Sequence, residues 1–429
     1  LADRIFRARR ANLKLVEATD RTMNLGDICD QNGEPLDEVL VAVMRAPHSY
    51  TCQDVVEINS HGGLVAVNRI LERVLQEGAR LAEPGEFTKR AWLNGRIDLT
   101  QAEAVIDLIR ARTEAGMDLA LGQLRGSLSS LVGGMRQDLR RLLAQVEAGI
   151  DFPDDVEDQE RQQLASAVRE IVGSANRMLA TAKTGRIYRE GLAVVLLGKP
   201  NAGKSTLLNR LLGTERALVT EIPGTTRDLI EETISVKGVP LRLIDTAGIR
   251  DAAGMVEALG ISRAREALAA ADLVLALFDA TTPLEAEDRL VLELLRGKDA
   301  LLLINKIDLP ERRLRRQELD AMPEGYPVLE ISARLGWGRE KLEQAIIDLV
   351  GAGVAPATPA MLTRRRHQHA LQRARDALDS ALDSLKGGIP LDCIAVDLWD
   401  AWEALGEVLG EAVPDEIITA IFEEFCIGK

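Results

Sequence analysis

GKPNAGKST, residues 198–206, lies between the apolar run LAVVLLG (192–198) and the helix-like TLLNRLL (206–212). Strand, glycine turn and helix are the context in which G-x-x-x-x-G-K-[ST] becomes a phosphate-binding loop. Gly198 and Gly203 let the backbone aim its N–H groups at phosphate oxygens, and the helix N-terminus adds its dipole. Lys204 is then expected to meet the β and γ phosphates, and Ser205 to hold Mg²⁺. A chance match is the alternative, and the elements downstream weigh against it.

Those elements follow in order. DTAG (Asp245, Thr246, Ala247, Gly248) ends the apolar run LRLI, placing Asp245 in the Mg²⁺ shell and the Gly248 amide at the γ phosphate. NKID ends LLLI, and supplies Asn305, Lys306 and Asp308. A carboxylate at Asp308 accepts from guanine N1–H and the exocyclic amine; adenine has an acceptor at N1 and no amine there, so GTP is selected over ATP. Ser332-Ala333 follows a further strand and closes over the base. With Asn201, Ala202, Gly203, Lys204, Ser205 and Thr206 of the phosphate loop, these residues form the expected nucleotide site.

Ile249 stands after DTAG, where Ras-type proteins carry the glutamine that orients water, so another group must do that work. TEIPGTTRD (220–228) is rich in hydroxyls and carbonyls and ends in Arg227-Asp228. With Asn201 it offers enough oxygen ligands to cage a monovalent cation in place of an arginine finger; an ordinary loop is the other reading.

Around this core, residues 188–352 alternate buried strands (LAVVLLG, LRLID, LVLALFDA, ALLLINK, PVLEIS) with amphipathic helices, the mark of a parallel sheet covered on both faces. Helical spacing fills 99–187, interrupted at Asp151-Phe152-Pro153-Asp154-Asp155, and returns over 353–429 after the linker GAGVAPATPA. The economical arrangement is a discontinuous helical domain carrying an inserted Ras-like P-loop domain. Residues 1–98 mix DEVLVAVM and DVVEIN with the helix LVAVNRILERVLQEG, an α+β domain. The fold class expected is therefore multidomain α/β plus α.

At 429 residues the chain is long enough for two to four cores. Only 3% of it is aromatic, so those cores rest on Leu, Ile, Val and Ala. No apolar run reaches spanning length and LADRIFRARR is no signal peptide, so a cytoplasmic protein without membrane contact is expected. Beginning at Leu1, the chain is expected to lack its true N-terminus. The net charge of −14 argues against a general nucleic-acid binder. RIFRARR (4–10), RRLRR (312–316) and TRRRHQH (363–369) are basic runs that could touch phosphates, but such runs are ordinarily solvated helix faces.

Cys29, Cys52, Cys393 and Cys426 are too scattered for a disulfide framework or a zinc knuckle. In the ending FEEFCIGK, Cys426 stands four positions from the end. Prenylation suits it poorly, with Gly428 and Lys429 following and Glu423 and Glu424 before; a buried structural thiol and a reactive one both remain.

PGEFTKRAWLNGRIDLTQAEAVIDLI, GKPNAGKST, PGTTRD, DTAGIR, NKID and the terminal CIGK together resemble the tRNA-modifying GTPase family MnmE, also called TrmE, over nearly the whole chain. The resemblance implies a folate-binding N-terminal domain that forms a homodimer, a helical domain and an inserted G domain. With the flavoprotein MnmG (GidA), such proteins modify C5 of the wobble uridine of tRNA, taking one carbon from a tetrahydrofolate derivative (5-formyl- or 5,10-methylene-tetrahydrofolate).

It also implies K⁺ held by Asn201, Thr220, Ile222 and Thr225, with Thr220 and Thr225 beside the nucleotide, and Thr226 joining Ser205 on Mg²⁺. Glu257 would orient the water, Arg250 would stabilise the switch, and Cys426 would serve modification rather than hydrolysis. Glu57, Arg96 and Lys429 would contact folate. Read as bare residues, Glu257 is equally an acid near a helix start, and Glu57 and Arg96 are equally surface charges.

Two departures bear on folate: a Gly-Arg-Gly-Gly type opening is absent, and Cys52-Gln53 stands where Gly-Glu is usual. A regulatory or ribosome-assembly GTPase switch is the competing reading, disfavoured by CIGK and the N-terminal half. An ATP-dependent P-loop enzyme is opposed by Asp308.

Overall fold

The computed structural model describes residues 1–9, 13–151, 158–213, 232–244, 267–320, 325–350 and 358–428. They form two compact units: Leu1–Ile106 with Leu409–Lys429, and Asp107–Val408.

In the first unit, the short helix α1 (Ala2–Ile5) leads into an antiparallel sheet of β1 (Phe6–Ala8), β2 (Thr22–Cys29), β3 (Pro35–Met44) and β4 (Val55–Asn59), paired in sequence order. Alternation in β3 sends Val39, Val41 and Val43 inward against Ile5, Ile28 and Ile70, the last on α2 (Leu64–Gln76). A second cluster joins α3 (Glu86–Leu93) and the start of α4 (Leu99–Arg110) to the terminal helix α15 (Asp415–Glu423), through Leu99, Ile106, Ile418, Phe422 and Phe425. Each such buried side chain stabilises by about 1.5–3 kcal/mol.

The second unit holds α5 (Glu114–Leu124), α6 (Ser127–Asp151), α7 (Asp158–Leu179), α8 (Ala182–Glu190), α13 (Arg365–Lys386) and most of α14 (Leu391–Leu409). Helix α13 packs along α7 and buries a stripe at three and four spacing: Ala370, Leu371, Ala374, Leu378, Ala381, Leu382 and Leu385.

Between these helices in the chain lies a six-stranded sheet. Its strands are β5 (Leu192–Leu197), β6 (Glu232–Val236), β7 (Val239–Leu243), β8 (Leu273–Asp279), β9 (Ala300–Asn305) and β10 (Val328–Glu330). The spatial order is β10-β9-β8-β5-β7-β6, parallel except for β6, which pairs antiparallel with β7. Strands β8 and β9 are buried at every position, as a sheet covered on both faces requires. Helices α9 (Lys204–Leu212), α10 (Ala286–Leu294), α11 (Arg316–Asp320) and α12 (Arg339–Val350) complete this part. After β5 the chain builds β6 and β7 on one side and then crosses to β8 on the other, so the order reverses at β5. Open α/β sheets bind ligands outside the carboxyl ends of strands at such a point.

One expectation holds only in part. TRRRHQH is a solvated face only at Arg365, Gln368 and His369; Thr363 is buried, Arg364 is buried against Asp107 at 2.8 Å, and His367 is 1% exposed. Arg366 donates to the carbonyls of Glu407 and Val408 at the end of α14. Basic groups suit the carbonyl-rich end of a helix, and the carboxylate compensates Arg364, so the inward side of this run is held by its partners.

Candidate functional site

Strand β5 ends at Leu197, and the loop 198–203 delivers the chain to α9. Its conformation is set by left-handed backbone at Gly198 (φ +147°), Asn201 (+63°) and Gly203 (+104°). A Cβ on Gly198 would stand 2.5 Å from the carbonyl oxygen of Leu277, and one on Gly203 would run into Nδ2 of Asn305. Glycine is required at both positions by space as well as by torsion.

Lys204 folds its Nζ onto the carbonyls of Gly198 (2.6 Å) and Lys199 (3.0 Å). Burial pushes the lysine pKa down. Among the described residues no carboxylate pairs with it, and a half-buried ammonium met by carbonyl dipoles is complementary to a polyphosphate. Ser205 and Thr206 expose their hydroxyls in the first turn of α9, where a Mg²⁺ bound to phosphate can be reached. The donor set therefore fits a Mg²⁺–nucleotide.

The base-reading residues gather at the ends of β9 and β10. Asn305, 2% exposed, donates from Nδ2 to the Ala202 carbonyl (2.8 Å), and its Oδ1 accepts from the Ala333 N–H (2.9 Å). One side chain thus ties the phosphate loop to the loop that follows β10. Ser332 Oγ donates to Asp308 Oδ1 at 2.7 Å and accepts from the Leu335 N–H at 3.1 Å. A carboxylate has about four lone-pair sites, so Ser332 orients Asp308 and leaves acceptors for guanine.

Lys306, in left-handed backbone (φ +68°), reaches Asp279 Oδ2 at 2.6 Å. Burial would raise the Asp279 pKa, but the bonds from Lys306 and Thr281 outweigh it and hold the carboxyl below its ordinary value. Asp279 was not legible beforehand; the signal was a polar, acidic run, DATTPLEAED (279–288), directly after a wholly apolar strand.

Thr220, Ile222, Thr225, Thr226, Asp245, Thr246, Ala247, Gly248, Arg250, Glu257 and Lys429 lie outside the described residues. In the first unit, Glu57 is exposed on β4 opposite Ala42. Arg96 donates to the Ser49 carbonyl (3.0 Å) and stacks its guanidinium 4.9 Å from the Tyr50 ring. The Cys426 carbonyl accepts from the Gly85 N–H at 3.5 Å, beside the bridge of Ile427 with Pro84, so the terminal segment is paired to the turn that opens α3. Among the described residues, no helix is long and apolar enough to cross a membrane.

The profile described as the MnmE helical domain matches residues 99–426, and that described as the N-terminus of GTP-binding protein TrmE matches 1–96. The tRNA modification GTPase MnmE of Geobacillus kaustophilus (strain HTA426) is 47% identical over 433 residues, covering 100% of this chain and 93% of its own. That of Moorella thermoacetica (strain ATCC 39073 / JCM 9320) is 47% identical over 420 residues, covering 97% and 91%. The solved G domain of the T. maritima FeoB iron transporter is 31% identical over 37% of this chain and 99% of its own, with a TM-score of 0.29.

Proposed function

The chain belongs to the MnmE (TrmE) family of tRNA modification GTPases, and from that premise we propose that it hydrolyses GTP to drive modification of the wobble uridine of tRNA. The observation that carries this reading is the Asn305 bridge: the loop that would hold phosphates and the loops that would hold guanine are joined through one buried amide.

In this reading Lys204 meets the β and γ phosphates, and Asp308, held by Ser332, takes the guanine edge. Ser205 and Thr226 hold Mg²⁺, which would offset the charge developing on the phosphates. Asp245, Thr246, Ala247 and Gly248 sense the γ phosphate, Arg250 steadies that segment, and Glu257 orients the attacking water. K⁺ sits with Asn201, Thr220, Ile222 and Thr225. Support for this comes from the oxygen-rich composition of 220–228 and from Ile249, whose side chain cannot position water.

Residues 1–98 form the folate-binding, dimerising domain, with Glu57, Arg96 and Lys429 toward the tetrahydrofolate. Residues 99–187 and 353–429 are the two parts of a helical domain, and 188–352 the G domain. A homodimer works in the cytoplasm with the flavoprotein MnmG, and Cys426 serves the modification step. GTP turnover measured in K⁺ and in Na⁺, with and without the flavoprotein and tRNA, tests the proposal. Turnover at least tenfold faster in K⁺ is expected; equal rates in the two salts would remove the cation and return hydrolysis to some other group.

A further inference from the structure

Lys199 lies inside the phosphate loop, yet its side chain reaches out of that loop to the segment that follows β8. It is 9% exposed, and its Nζ donates to Thr282 Oγ1 (2.8 Å), Glu285 Oε2 (2.8 Å) and Asp288 Oδ2 (3.1 Å). All of these partners belong to the turn between β8 and α10 and to the first turn of that helix. Asp288 is 2% exposed, and the same Oδ2 accepts from the Glu285 N–H, closing the helix N-terminus as a capping box. Burial alone would pull the Lys199 pKa down; the Glu285 and Asp288 carboxylates more than offset it and keep the ammonium charged.

The same turn begins at Asp279, which holds Lys306 of the base-reading loop at 2.6 Å. One short segment, Asp279–Asp288, therefore grips a lysine from each half of the nucleotide site. The Lys199 carbonyl in turn accepts from Lys204 Nζ at 3.0 Å and from the Ala202 N–H at 3.3 Å.

We propose that the segment Asp279–Asp288 is a clamp fixing the phosphate loop to the base-reading loop, with Lys199 as the positioning residue that holds the carbonyl seat of Lys204. The inference rests on the GTP-binding reading and adds to it Lys199, Asp279, Thr282, Glu285 and Asp288, whose side chains are engaged with one another or with Lys306. A lysine buried for stability alone would be a poor choice, because desolvating the ammonium and the buried Asp288 carboxylate costs about as much as their attraction returns, and Glu285 stays half exposed. What such a node does provide is geometry: three donors on one nitrogen, directed at Thr282, at Glu285 and at Asp288, which is itself held by the Glu285 N–H. Acids at the first turn of α10 would be stabilised by the helix dipole without any lysine, so the dipole does not account for Lys199.

The test compares the full-length chain with Lys199→Met, Lys199→Arg and Asp288→Asn. The dissociation rate of a fluorescent GDP analogue is followed after addition of excess unlabelled GDP, and the active fraction is titrated separately. A purely structural role lowers the active fraction; a positioning role changes the rate for the molecules that bind. Lys199→Met is expected to release GDP at least tenfold faster, Asp288→Asn at least threefold faster, and Lys199→Arg to recover most of the loss. The double variant Lys199→Met, Asp288→Asn should be no worse than Lys199→Met alone, since the Lys199–Asp288 contact is already among the three lost in Lys199→Met.

Rates within twofold of the parent in Lys199→Met and Asp288→Asn, or independent effects that multiply in the double variant, would overturn the clamp. Should Lys199→Met not fold, Asp288→Asn decides alone by the same threefold criterion. Absence of GDP binding in the parent chain would instead sink the GTPase reading, a distinct outcome.

Discussion

Cys52 illustrates how much one backbone angle decides. Its φ of +55° lies in the left-handed region, at the end of the turn 49–52 that positions Thr51 for Asn94 and Ser49 for Arg96. That conformation costs a side chain about 1–2 kcal/mol, of which glycine returns roughly half to its own unfolded-state entropy. Cys52→Gly should therefore stabilise the first unit by about 0.5–1 kcal/mol. A higher urea midpoint at unchanged m value is the expected sign; a lower midpoint would mean that the thiol packs usefully. At this scale, Asp308 and Asn305 were readable because their chemistry is carried within a tetrapeptide. Lys199 and Asp279 were not: their partners are 80–90 and 27 positions away, and only the adjacency of β5, β8 and β9 brings them together.

At the scale of elements, α3 opens on the most strongly held acid of the first unit. Glu86 accepts from Arg80 Nη2 (2.6 Å), Arg90 Nη2 (2.6 Å) and the Glu83 N–H (2.9 Å). Arg80 foremost, then the Glu83 N–H and Arg90, bring its carboxyl from 4.5 to about 2 against the opposing effect of burial. A carboxyl depressed in the folded state contributes stability above its unfolded pKa and loses it as pH falls toward the folded one. The contribution should be complete above about pH 5 and fade between about pH 4.5 and 2. Glu86→Gln should cost about 2 kcal/mol at pH 6, the worth of charge-assisted bonds, with the gap to the parent closing over that acid range. A gap independent of pH would show that Glu86 acts by shape alone.

The strands were legible at this scale because a doubly covered sheet needs continuous apolar runs, which LVLALFD and ALLLIN supply. The burial of Thr363, Arg364 and His367 was not, since a basic run looks the same whether water or Asp107 faces it.

At the scale of the whole molecule, the sequence order of the nucleotide elements and the spatial order β10-β9-β8-β5-β7-β6 agree on one end of one sheet as the binding edge. The α+β character of residues 1–98 and the interruption of helices by an α/β segment were also legible, because periods of 2 and 3.6 differ plainly in this Leu- and Ala-rich chain. What composition could not convey is that Pro84-Gly85 and the terminal Cys426-Ile427 are neighbours: a pairing between residues more than three hundred positions apart leaves no local trace.

The central claim is that a guanine nucleotide is gripped at its phosphates by Lys204 and at its base by Asp308, and calorimetric titration with GDP and ADP tests it most directly. GDP should bind with saturable heat and ADP at least roughly a thousandfold more weakly, and Asp308→Asn should exchange GDP for xanthosine diphosphate. Equal affinity for ADP, or a titration with GDP that releases no heat and displaces no ligand, would contradict it.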